Sequence, residues 1–163
     1  MKLHASRLLA SRLLMLGLSV LSMALPTYAA ELKIDLGHGV VIHHSETLLQ
    51  RQDLRTIRIP ADVSFHRTMS YQAVPLTDLL PGLGATDHLQ FVGTDGFSAE
   101  IPAALLLQSR GSEAWLAIEN PLHPWPALPA QHGRAGPFYI VWTKPQLAKV
   151  SPEQWPYQLA SIR

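Results

Sequence analysis

The sequence predicts a strand-rich α+β domain with short helices, and three observations carry that prediction. Apolar side chains alternate with polar ones only in short runs, the pattern of half-buried strands rather than of long helices. An Asp95-Gly96 pair sits between two apolar runs, as in a β-hairpin. Twelve of the thirteen prolines lie beyond residue 29, too many and too evenly spread for a helical bundle.

The elements follow in order. Residues 32–36 (LKIDL) and 40–42 flank Gly37-His38-Gly39 and read as two strands joined by a glycine turn. Ser45 suits the cap of a helix over 46–52, with Leu48 and Leu49 inward and Glu46 at its positive end. Residues 55–59 (RTIRI) place Ile57 and Ile59 on one face and Thr56 and Arg58 on the other, and 65–71 (FHRTMSY) suggest a further strand with a weaker pattern. Pro75 opens a short helix that Pro81-Gly82 ends. Residues 88–92 and 97–101 form the Asp-Gly hairpin, 102–107 a short helix, and 115–118 a strand. Residues 138–142 (FYIVW) are β-branched and aromatic enough to be buried on both faces. Ser151-Pro152-Glu153-Gln154 has the parts of a capping box, cut short by Pro156, and residues 157–162 close the chain as a strand.

Residues 1–29 have the layout of an export signal. Lys2, Arg7 and Arg12 precede an apolar run over 13–25, and the small-residue stretch Thr27-Tyr28-Ala29-Ala30 offers a cleavage site. The run is shorter than the roughly twenty residues of a membrane span, so a periplasmic protein, free of the membrane after cleavage, is expected. Residues 30–163 then make a single domain. They hold ten Lys and Arg against twelve Asp and Glu, a formal charge of −2, whereas the whole chain carries +1. No basic run could track a phosphate backbone, which argues against nucleic acid as a partner. The chain has no cysteine, which excludes disulfides, thiolate metal sites and a cysteine nucleophile.

Little of the remaining chemistry is sharp. His38, His43, His44 and His66 are candidates for copper or zinc, but no HxH pair or HExxH helix supports them. Ser98 lies outside any GxSxG elbow, Asp95 has a plain role in its turn, and Gly82-Leu83-Gly84 lacks the rest of a phosphate loop. The tryptophans say more. Trp115 and Trp142 sit inside apolar strands, whereas Trp125 lies between Pro124 and Pro126 in NPLHPWPALP, residues 120–129. Proline on both sides favours an extended, preset loop, which makes Trp125 and His123 candidate contacts for a ligand, against a loop merely folded over the core.

Taken together, YQAVPLTDLL, FVGTDGFSAEIP, WLAIE and AGPFYIVW, in that order, resemble the oxidoreductase molybdopterin-binding domain of the sulfite oxidase fold. The resemblance runs over residues 55–162 and implies a mixed-sheet α+β domain with a pterin-binding crevice. Members of that family hold molybdenum through a cysteine on a loop after an early strand, and residues 59–69 (IPADVSFHRTM) contain none. The family's arginine in its GPLRLV strand falls on Tyr139, which has no charged fork for an anionic cofactor. The expectation is therefore an exported, non-catalytic or accessory domain without a cofactor. It would bind a small molecule or a periplasmic redox protein through His123, Trp125, Tyr139 and Trp142, with Asp95 and Phe97 on the neighbouring turn. The alternatives are a molybdopterin-dependent oxidoreductase with unusual metal ligation and a periplasmic copper or zinc protein.

Overall fold

A computed structural model describes residues 29–107, 111–130 and 133–163, so the expected export signal lies almost wholly outside the described residues. The strands are β1 (Glu31–Asp35), β2 (Val40–His44), β3 (Arg55–Ile59), β4 (Met69–Pro75), β5 (His88–Gly93), β6 (Ser98–Pro102), β7 (Glu113–Ile118), β8 (Phe138–Thr143) and β9 (Leu159–Ile162). Among the described residues, two short α-helices, α1 (Ser45–Leu48) and α2 (Ala103–Leu107), and three 3₁₀ turns complete a mixed α+β domain. No helix among the described residues is long and apolar enough to cross a membrane.

The strands form two sheets, ordered β2-β1-β9-β5-β6 and β3-β4-β7-β8. Only β1 and β9 run parallel, with Lys33 opposite Ser161; the other ladders are antiparallel. One continuous apolar cluster draws on both sheets: Leu32, Phe91, Ile101 and Ile162 from the first, Tyr71, Leu116, Ile118 and Ile140 from the second. Every residue from Phe138 to Trp142 is buried, as its composition predicts. Although β8 ends its sheet, it is not left open, because the segment before β9 lies along it. Ile140 donates its N–H to Pro156 O at 2.9 Å, and Tyr139 bridges Tyr157. A paired or covered edge resists association with other chains.

The hairpin of β5 and β6 turns where the Asp-Gly pair predicts. Gly96 takes φ +86°, which a side chain would resist, and the Asp95 carboxylate accepts the Phe97 N–H at 3.0 Å. Three elements differ from expectation. Helix α1 is one turn, and Ser45 does not cap it: its buried hydroxyl accepts the Ala30 N–H, and His44 holds the cap position. The helix after Pro75 is a 3₁₀ turn over Leu76–Leu79, with Pro75 still in β4. Residues 65–68 are not strand. The Asp62 side chain bends the chain back there, and His66 takes φ +52°, so β4 begins at Met69.

Candidate functional site

Among the described residues the most buried polar side chain is Asp62, on the turn between β3 and β4 and only 2% exposed. Its Oδ1 accepts the N–H groups of Ser64 and Phe65, both at 2.9 Å, and its Oδ2 accepts the Tyr71 hydroxyl at 2.7 Å. The Tyr139 hydroxyl lies 3.2 Å from Oδ1 and shares a 3.0 Å hydrogen bond with the Ser64 hydroxyl. A buried carboxylate is tolerated when its lone pairs are filled in this way. Burial first, and then the Asp62 charge, push both tyrosine hydroxyls far above their ordinary pKa. The rings pack edge to face, Tyr71 on Tyr139 at 5.8 Å and Trp125 on Tyr71 at 5.1 Å, with Trp155 and Tyr157 each 6.3 Å from Tyr139.

A second carboxylate fixes the proline-rich loop. Glu119, just after β7, accepts the Trp125 N–H at 2.7 Å and the Arg134 guanidinium at 2.5 Å. The Glu119 side chain is only 12% exposed, so the bond to Trp125 is shielded from water. Trp125 is consequently buried against Tyr71 instead of standing in solvent. Further along, Leu128 donates its N–H to Gly133 O at 2.8 Å. Gly136 sits so close to Glu119 that a Cβ there would overlap the carboxylate.

Trp155 separates two of the surface concavities near this interior. One is a crevice of about 310 Å³ lined by Ser64, Asp95, Phe97, Glu153, Trp155 and Tyr157. It adjoins a hollow of about 160 Å³ that shares Ser64 and Tyr157 and adds His66 and Leu128. Phe97 is half exposed at the crevice's rim. The other concavity, about 500 Å³, lies at the ends of β3 and β8 and is lined in part by Trp142 and Trp155.

The sequence-derived candidates therefore separate into four places. Trp125 and Tyr139 meet in the buried aromatic cluster. Asp95 and Phe97 face the crevice, and Trp142 lines the groove beyond Trp155, its indole N–H donated to Gln154 O at 2.8 Å. His123 stays exposed on a tight turn bridged to Asn120. The four candidate metal histidines do not converge. His43 is half-buried and its pKa is lowered by burial and by Arg51, His44 lies 3.8 Å from Glu31, and His38 and His66 line different hollows. Among the described residues no three His, Asp or Glu side chains gather where a metal could bind.

Asp62 and Glu119, which organise the site, were not singled out from the sequence. Asp62 had one readable signal: an Asp two residues before Ser64 is a common turn initiator. Compared with known proteins, the chain matches no protein-family model and no curated protein.

Proposed function

We propose that this chain is an exported domain of the sulfite oxidase type that binds a small molecule or a periplasmic redox protein in the crevice beside Phe97, without chemistry of its own. The observation that carries the reading is the closed network of Asp62, Tyr71, Tyr139 and Ser64 behind that crevice. A molybdenum-pterin group, which the sequence resemblance implies, does not suit these donors. The chain has no thiol to ligate the metal, the Ser64 and Tyr139 hydroxyls are already engaged with each other, and the buried carboxylate beside them would repel an anionic cofactor. No step of an oxidoreductase reaction is therefore assigned to these residues.

What supports binding is the crevice itself. Phe97 offers an exposed apolar face, Asp95 and Glu153 add carboxylates at its edges, and Trp155 and Tyr157 form an aromatic wall. An exposed aromatic on a rigid hairpin turn loses little entropy when it is covered. Native mass spectrometry of protein purified from the periplasm tests this. A bound mass or a partner lost in Phe97→Asp is the expected result. The unliganded mass from both proteins, at equal stability, contradicts the proposal.

A further inference from the structure

The groove on the far side of Trp155 has a different chemistry from the crevice. Its floor is Ile59, Trp142 and Trp155, and its rim carries Arg58 and Lys144. Among its lining residues there is no carboxylate, whereas each of three other concavities of comparable size contains at least one. Neither Arg58 nor Lys144 has an ion-pair or side-chain hydrogen-bond partner among the described residues. This positive, apolar groove thus stands on a domain whose residues 30–163 carry a net negative charge. The rim is also set in place. Lys144 holds the left-handed conformation at φ +48° and ψ +51°, and its carbonyl accepts the Leu147 N–H at 3.0 Å to start the 3₁₀ turn over Pro145–Leu147. A non-glycine residue is disfavoured in that region, so the turn it begins, and not local preference, sets where its side chain leaves the backbone.

From this combination we infer that the groove is a second binding site, specific for a small carboxylate with a flat apolar body. The volume suits a ligand of that size. The body would rest on Pro60, Ala61 and Pro145, above the buried Ile59, Trp142 and Trp155, and the carboxylate would lie between the Arg58 guanidinium and the Lys144 ammonium. Arg58 contributes the bidentate geometry that carboxylates favour, and Lys144 a point charge. The indole N–H of Trp142 is taken by Gln154 and its ring is buried, so it forms the packed base beneath the groove.

The test uses naphthalene-2-carboxylate as probe, with naphthalene-2-carboxamide as its neutral counterpart, followed by tryptophan fluorescence and by ¹H–¹⁵N spectra. The carboxylate is expected to saturate below about 1 mM and the carboxamide to bind about tenfold or more weakly. Arg58→Gln and Lys144→Gln should each weaken the carboxylate about tenfold, and the melting transitions of both variants should stay close to that of the parent. Arg55→Gln, which removes a cation from the same strand outside the groove, should leave affinity unchanged. Absence of saturation, equal affinity for the carboxamide, or an Arg55→Gln loss as large as that of Arg58→Gln each overturns the inference.

Discussion

Asp62 is a carboxylate with four donors around it, and removing it strands three of them. In Asp62→Ala the Tyr71 hydroxyl and two backbone N–H groups lose their acceptor inside the core, while the Tyr139 hydroxyl keeps Ser64. We expect a loss of about 2–4 kcal/mol, read as a lower midpoint in urea at unchanged slope. Tyr139→Phe should cost less, about 1–2 kcal/mol, because it leaves the carboxylate its other partners. The same network sets an alkaline limit. Both hydroxyls stay protonated in the folded chain at a pH where the unfolded chain ionises them, so the unfolded state releases protons first. Stability is then full below the ordinary tyrosine pKa of about 10 and declines above it. Urea midpoints measured on either side of that pH should show the decline, and a Tyr71→Phe, Tyr139→Phe protein should show less of it. His43 acts at the other end: its lowered pKa means the unfolded chain binds a proton first, so its contribution is present above about pH 6.5 and fades below.

Elements rich in local signal could be read directly, and those held by distant groups could not. The β5–β6 hairpin was legible because Asp95-Gly96 specifies its own turn, and β8 because five consecutive buried residues need no partner to be recognised as apolar. The stretch 65–68 misleads because its alternation is genuine, yet the Asp62 side chain outcompetes strand pairing there for two backbone N–H groups. The proline-rich loop is the clearest case. Its prolines announce stiffness, but whether Trp125 faces water is decided by Glu119 and by Arg134, which lies fifteen residues from Glu119 in the chain. That dependence is testable. Glu119→Ala should expose Trp125 and shift its emission to longer wavelength, with a stability loss of about 1–3 kcal/mol. Gly136→Ala displaces the same carboxylate, so the double variant should cost clearly less than the sum of the two single losses.

At the scale of the molecule, the last strand sits inside a sheet. β9 lies between β1 and β5, with its carboxyl end tied to Gln90 through reciprocal backbone bonds with Arg163. Deleting residues 159–163 would leave both neighbours with unpaired ladders and remove Leu159 and Ile162 from the core, so the shortened chain should lose its cooperative thermal transition. The same C-terminal region supplies Trp155, which divides the crevice from the groove, so the architecture and both proposed surfaces share one segment. Behind the crevice, the hydroxyls and carboxylate satisfy one another, and on the proposed reading no heavy metal is bound there. The most direct measurement is elemental and pterin analysis of protein purified from the periplasm of a host that makes the molybdenum cofactor. The account predicts neither molybdenum nor a pterin oxidation product in proportion to protein; one equivalent of each, retained through purification, contradicts it.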